Sequence, residues 1–279
     1  KSTWLADAKK GFRESQDLGQ NLIILTWTNR ASERYNLKIR QELFGKVELA
    51  QFELGDVLIL KDFYDLKETQ EYIKGIKVEN RFYTSEQVKV RDIEETTFRP
   101  TPFRVSLGRT RVSNRASIEK RIVQTLTKLG KTLSPSYQVW SLYVHKLMDA
   151  DSSRQLPELH KLYVLKDEDK KKLKQDQEFV TSEIQKLRSY FYSHFKAQFN
   201  FLEQNVIRRF WVHLHLSLIE PFADLSYGYS TTVHKSQGST YGRVFIDIKD
   251  ILSNPKKTEA KRCLYTAQTR AALSLHLLV

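Results

Sequence analysis

The stretch Thr231–Ile248 reads TTVHKSQGSTYGRVFIDI, and its texture changes twice. A β-branched start gives way to His-Lys-Ser-Gln-Gly-Ser-Thr, and an apolar run resumes at Val244. This predicts a strand from Tyr227 to Val233, a polar loop, and a second strand from Val244 to Ile248. The hydroxyls of Thr231, Thr232 and Ser236, beside His234 and Lys235, can donate to successive phosphates of a polynucleotide without reading its bases. Gly238 permits close backbone approach next to Gln237, whose amide both donates and accepts. The same residues also fit an ordinary glycine-containing hairpin with a satisfied histidine.

The flanks place this loop in an α/β layer. Downstream, Ala260, Cys263, Leu264, Ala267 and Ala271 mark one face of a helix over Glu259–Thr269, followed by a strand at 273–279. Arg270 stands two turns beyond Cys263, which places it near the buried layer, where an arginine needs an anion. It reads either as a C-terminal charge serving helix carbonyls and dipole or as an arginine finger for a γ-phosphate held mostly by another domain. Upstream, Asn21–Trp27 is an apolar strand running into a helix that starts at Thr28 or Asn29, with Tyr35, Ile39 and Leu43 every four residues. A strand-to-helix junction of this kind faces ligands in α/β folds. Residues 1–50 and 220–279 therefore read as two parts of one sheet.

Between them lies an insertion. Strand-like runs occur at 54–64, 81–93, 137–147 and 161–165, which suggest a small β-barrel subdomain over 51–165. Within it, residues 97–117 carry five arginines and no carboxylate, and read either as a segment touching nucleic acid or as a mobile insertion. From Pro157 to Pro221 there is no glycine or proline in between, and Val180, Ile184, Leu187, Phe191, Phe195, Leu202, Val206 and Phe210 keep helical spacing. This predicts a helical arm over 166–219 that bends or doubles back near Asn200 or Asn205, its aromatic stripe being core.

Two nucleotide-site motifs fail on inspection. Gly130-Lys131-Thr132 ends a phosphate loop, but Thr125 stands where the loop needs its first glycine. Asp167-Glu168 imitates a magnesium pair, yet Lys166 interrupts the strand before it. Nothing in the chain is expected to hold ATP unaided.

Composition bounds the rest. Forty-six Lys and Arg against thirty-three Asp and Glu leave a formal charge of +13, which favours a polyanionic partner. One cysteine, Cys263, excludes an intrachain disulfide framework and a zinc cluster and points to a reducing, intracellular compartment: nucleus, cytoplasm or mitochondrion, or a viral source. No apolar run approaches the ~20 residues of a membrane span. There is no signal-peptide core and no initiator Met, so a fragment of a longer chain is expected.

The segments YGYSTTVHKSQGSTYGRVFIDI and KRCLYTAQTRAALSLHLLV resemble the fifth and sixth motifs of superfamily 1 helicases, in the RecD-like, Dda-like and Pif-type branch, and ILTWTNRASERYN resembles the strand-helix motif opening their second RecA-like domain. The resemblance implies a RecA-like second motor domain, lacking its own phosphate loop, with an inserted SH3-like barrel and a helical arm. It implies ATP and Mg2+ bound mainly by an N-terminal RecA-like domain outside this chain, with single-stranded DNA, moved 5′ to 3′, and a duplex DNA fork as further partners. On matching positions, Arg270 is the catalytic arginine, and Gln237, Gly238 and Thr240 join it at the nucleotide. Thr28, Asn29, Thr232 and His234 resemble the family's contacts to the strand backbone, and Thr231, Lys235 and Ser236 are added as DNA contacts on their phosphate-donor chemistry. Thr240 departs from the pattern, since many relatives have a glutamate there that touches the ribose. The rival reading is a non-catalytic nucleic-acid clamp derived from such a domain; the chain lacks the carboxylate and histidine cluster of a nuclease.

Overall fold

The computed structural model describes residues 2–18, 22–73, 76–109, 111–147 and 159–278, so Asn21, Thr110 and Val279 of the segments discussed above lie outside the described residues. The chain divides into two units, one of Lys1–Glu94, Leu142–Leu162 and Asp224–Val279, the other of Glu95–Ser141 and Tyr163–Ala223.

The first unit is built on α1 (Ser2–Leu18), β1 (Leu22–Thr26) and α2 (Asn29–Phe44), joined much later in sequence by β9 (Ser230–Thr232), β10 (Tyr241–Asp247), α7 (Ile248–Leu252), α8 (Lys257–Gln268) and β11 (Ala271–Leu278). Its four strands are all parallel, in the order β11-β10-β1-β9. The five residues of β1 are buried throughout, as a strand covered on both faces must be. Leu22 and Ile24 pack with Trp4, Ala8, Phe12, Tyr35 and Ile39 of α1 and α2, whereas Ile23 and Leu25 pack with Ile251, Cys263 and Ala267 of α7 and α8. Period-two alternation thus sends one helix layer to each side. The sequence reading had not marked α1, although Trp4, Ala8 and Phe12 recur every four residues.

The strand expected over Tyr227–Val233 is instead two. Residues Leu225–Tyr227 form β8 and pair antiparallel with β2 (Val57–Leu60), while β9 joins the parallel sheet. The crossing occurs at Gly228, where an added Cβ would stand 2.9 Å from Val57 Cγ1 and 3.1 Å from the Leu58 backbone. Only glycine fits so close to β2.

β2 and β8 form the neck through which the insertion leaves and returns, with Leu58 opposite Tyr227 and Leu60 opposite Leu225. They belong to a sheet ordered β7-β6-β5-β2-β8, with β5 (Gln87–Phe98), β6 (Tyr137–Lys146) and β7 (His160–Leu165), and a separate hairpin joins β3 (Tyr64–Ile73) to β4 (Ile76–Phe82). This order has two ends, β7 and β8, and a closed SH3-like barrel is not evident in it.

One buried ion pair knits the neck to the parallel sheet. Arg40 on α2 donates Nε to Asp56 Oδ1 at 2.9 Å and Nη2 to Oδ2 at 2.7 Å. Asp56 also accepts Glu53 N at 2.8 Å and Tyr229 OH at 3.1 Å, and that hydroxyl accepts Val57 N at 2.9 Å. Arg40 lies over the Tyr227 ring, 4.0 Å from its centroid. Burial pushes the Asp56 carboxyl upward against the pull of Arg40.

The second unit holds α3 (Arg115–Thr132), α4 (Asp167–His194), α5 (Phe199–Leu202) and α6 (Arg208–Leu214) around one apolar cluster. Along 166–219 the helix breaks at Phe195–Gln198, before Asn200 and Asn205. Phe195 leaves helical geometry at φ −136°, ψ 45°, and beyond it Leu202, Val206, Phe210 and Leu214 share a core with Val180, Ile184, Leu187 and Phe191. Asn205 donates to Phe201 O at 2.9 Å beyond the break. Helix α3 was not anticipated, and it explains the false phosphate loop: Gly130, Lys131 and Thr132 are its last turn. Asp167 and Glu168 are the first turn of α4, a favourable place for acids against the helix dipole.

Removing one partner of a buried pair strands the other charge, so Asp56→Ala is expected to cost roughly 3–5 kcal/mol in urea unfolding and Tyr229→Phe about 1–3 kcal/mol. A second expectation concerns His145, which accepts Arg91 Nε on Nδ1 at 2.9 Å. Burial, then the charges of Arg91 and Lys89, hold its imidazole down to about 4. The folded value lies below the unfolded ~6.5, so this contribution is complete above ~6.5 and lost as pH falls to about 4. His145→Gln should flatten the pH dependence of stability in that window.

Candidate functional site

Two groups of predicted residues lie at opposite ends of the parallel sheet. Thr28 and Asn29 follow the carboxyl end of β1, and Val233–Lys235 follow that of β9. Arg270 precedes β11, its carbonyl accepting from Tyr241 N at the start of β10 at 2.8 Å. At ~3.3 Å per residue, the five residues of β1 separate these ends by roughly 17 Å. The loop from Val233 to Thr240 runs from one end to the other.

At the carboxyl end, Thr28 caps α2, its hydroxyl accepting Ala31 N at 3.1 Å. That helix terminus already holds an anion. Asp250 on α7 accepts Trp27 N at 2.6 Å, Thr28 N at 2.9 Å and Thr28 Oγ1 at 2.8 Å, while Asp247 accepts Asp250 N at 3.1 Å and Tyr35 OH at 2.6 Å. Burial and the Asp247 carboxylate push the Tyr35 phenol upward, so it stays a donor. The sequence reading assigned nothing to Asp250. Its only signal was an acid three residues after Asp247 at a strand end.

The expected DNA contacts divide by exposure. Asn29, His234 and Lys235 are exposed, and Lys235 Nζ donates to Asn29 Oδ1 at 3.0 Å. His234 leans on α8, with Nε2 3.7 Å from Cys263 Sγ and 3.8 Å from Glu259 Oε1. Thr231 and Thr232 are buried in β9 opposite Leu25 and Thr26. Ser236 is fully buried and its hydroxyl donates to Val233 O at 2.8 Å. The Ser236 hydroxyl is spent on the loop's own turn, and the loop side chains facing solvent include His234, Lys235, Gln237 and Thr240. Gln237 and Thr240 are exposed, and Gly238 sits at φ 86°, the left-handed conformation a side chain would oppose. A groove beside the loop is lined by His234, Gln237, Lys256, Lys257, Glu259 and Arg262, among others.

At the amino end, Arg270 lies beyond the last residue of α8 and half-buried, rather than on the helical face shared by Cys263. Nε donates to Thr266 O at 3.2 Å, Nη1 to Ser239 O at 3.0 Å and Nη2 to Thr269 Oγ1 at 3.1 Å. All its acceptors are neutral. Burial pushes the neighbouring Tyr241 phenol up to about 12, against the opposing pull of Ser239 and the Arg270 charge. Burial also raises the Cys263 thiol, with Glu259 adding to it, which keeps it an unreactive packing group.

Residues 227–278 match the family described as the UvrD-like helicase C-terminal domain. The chain resembles the C-terminal half of a superfamily 1 helicase. Among curated proteins it is similar to "Uncharacterized protein R530" of Acanthamoeba polyphaga mimivirus, at 29% identity over 280 residues, covering 100% of this chain and 51% of that protein. The chain thus spans about half the length of the curated relative it matches. Among solved structures, that of Pif1 helicase from Candida albicans aligns over 93% of this chain and 45% of its own, at 13% identity and a TM-score of 0.32. No helix among the described residues is long and apolar enough to cross a membrane.

For a helicase-like chain, ATP and magnesium are the implied ligands, and the residues present fit only part of them. Among the described residues no group of three or more His, Cys, Asp or Glu could hold a metal ion. Asp167 is exposed and paired with Lys170 at 2.6 Å, and Lys131 closes a helix. What the amino end of the sheet offers includes the half-buried Arg270 guanidinium.

The Asp250 contacts carry a direct test. Hydrogen bonds to a charged group contribute about 1.5–3 kcal/mol each and are not additive, so Asp250→Ala should lose roughly 2–4 kcal/mol of stability in urea while Lys235→Ala stays within ~0.5 kcal/mol. Equal, small losses would show that Asp250 does not hold α2.

Proposed function

We propose that this chain is the second RecA-like motor half of an ATP-driven superfamily 1 helicase that moves along single-stranded DNA, 5′ to 3′, and opens duplex. The observation that carries the reading is Arg270. It sits at the strand-end opposite the exposed Asn29, His234 and Lys235, and it binds Ser239 of the very loop that reaches them. A group at one end of that loop that senses charge can thereby shift the other.

In this reading ATP, held chiefly by a first motor domain with its magnesium, supplies the phosphoryl group whose transfer drives stepping. Arg270 presents a forked, permanently charged donor set, held in place by Thr266, Ser239 and Thr269 before any anion arrives. Gln237 and Thr240, both exposed, border the nucleotide side, and Gly238 gives the loop its turn. Asn29, His234 and Lys235 form the reachable part of the strand track, and Thr28, Thr231, Thr232 and Ser236 support it from beneath.

One observation favours a second reading, a nucleic-acid clamp without motor action. Each guanidinium nitrogen of Arg270 already has an acceptor in its own neighbourhood. A purely structural arginine would look the same.

The experiment that separates them uses the full-length protein. If Arg270 acts in phosphoryl transfer, Arg270→Ala and Arg270→Lys should each lower DNA-stimulated ATP turnover by about 10³ or more, with melting temperature and strand affinity little changed. If it is structural, Arg270→Ala should cost ~1 kcal/mol of stability and leave turnover per folded molecule nearly intact. The 279-residue chain by itself should show no ATP hydrolysis; turnover abolished by Lys131→Ala would overturn the assignment of ATP to a separate domain.

A further inference from the structure

The described residues of the arginine-rich segment at 97–117 are held to the second unit at several points. Val105 and Leu107 are buried in the core of the second unit, and Phe103 stacks on Phe210. Four of its carbonyls accept side-chain donors: Thr101 O from Ser217 Oγ at 3.1 Å, Arg104 O from His213 Nε2 at 2.8 Å, Ser106 O from Arg209 Nη1 at 3.2 Å and Gly108 O from Arg115 Nη2 at 2.7 Å. The apolar side chains face in. Arg99, Arg104, Arg109 and Arg111 are all exposed.

Charge pairing sets these four apart from their surroundings. The helices of the same unit answer many of their cations internally, as in Lys128 and Lys186 with Glu183, Arg188 with Glu203 and Arg115 with Glu119. Among the described residues no ion pair engages Arg99, Arg104, Arg109 or Arg111, and the segment contains no carboxylate. A fixed backbone holding unpaired guanidinium groups is preorganised for an external anion, because its ordering cost is met in folding. The aromatic residues of the strap, Phe98 and Phe103, are engaged with Phe222 and Phe210, which leaves it no platform on which single-strand bases could stack. At no more than ~3.5 Å per residue, Arg104 and Arg109 stand at most about 17 Å apart, so the set suits a rigid, extended array of phosphates.

We propose that this arginine strap docks the phosphate backbone of a nucleic-acid duplex, without reading its sequence. The proposed site uses none of the residues Asn29, His234 and Lys235 and does not depend on the motor reading. The test uses the 279-residue chain with Arg99, Arg104, Arg109 and Arg111 all changed to glutamine, and fluorescence anisotropy with a labelled 20-base-pair duplex and a 20-nucleotide single strand across a salt series. Loss of up to four phosphate contacts should lower the slope of log affinity against log salt for duplex by roughly 2–4 and weaken duplex binding at least about tenfold at moderate salt, while single-strand affinity changes less than about threefold. DNA and RNA duplexes should lose affinity alike, since phosphates are shared. Lys235→Ala should show the reverse preference, so failure of the strand track and failure of the strap are told apart. If the fourfold variant does not fold, Arg104→Gln and Arg109→Gln singly should each weaken duplex binding about twofold to fivefold. Unchanged duplex affinity, an equal loss on both probes, or a loss seen only when an acidic protein replaces the duplex would overturn the proposal.

Discussion

The ion pair between Arg40 and Asp56 is the point on which the first unit turns. Asp56 is fully buried, and four donors converge on it from α2, the loop before β2 and the segment returning at Tyr229. Such a pair is seldom worth more than a well-packed apolar equivalent. Its value lies in what it positions. It fixes the chain at the place where the insertion departs and the place where it comes back, so that β1 and β9, over two hundred residues apart in sequence, meet in register at Leu25 and Thr231.

That register in turn decides what the Thr231–Ile248 segment can present. With β9 between α2 and β1, its threonines face the interior, and the loop beyond it must satisfy its own turn through Ser236. The exposed groups there are Asn29, His234, Lys235, Gln237 and Thr240. Thr231, Thr232 and Ser236, read from residue type as phosphate donors, are buried. At the other end of the sheet the same loop supplies the carbonyl of Ser239 to Arg270. A single segment is therefore in contact with both ends of the strands.

Much of this was legible because it depends on local pattern. The continuous apolar run of β1, the Thr28 cap, the buried face of α8 and the helical arm all follow from period and capping chemistry. What could not be read depends on contacts between distant residues. Nothing local tells Arg40 from the other arginines, or shows that Tyr227-Gly228-Tyr229 divides one strand between two sheets. Asp250 looks like a surface acid until the fold brings the amide groups of Trp27 and Thr28 against it. Helix α3 is marked in the sequence by Ile118, Ile122 and Leu129 on its buried face, but Gly130 near its end gives it the look of a phosphate loop.

The neck made by β2 and β8 also constrains the order of assembly. Tyr229 and Asp56 are 173 positions apart, and closing a flexible loop of that length costs entropy before any contact across it forms. A chain with such distant pairings is slow to fold unless the intervening segment first shortens the path. The second unit has its own core, beside which the Phe98 and Phe222 rings meet with centroids 5.1 Å apart. Once that core has formed, the meeting of Phe98 with Phe222 shortens the loop that Asp56 and Tyr229 must still close. Damage to the core of the insertion would accordingly be felt as slower assembly of the parallel sheet as well as of the insertion itself.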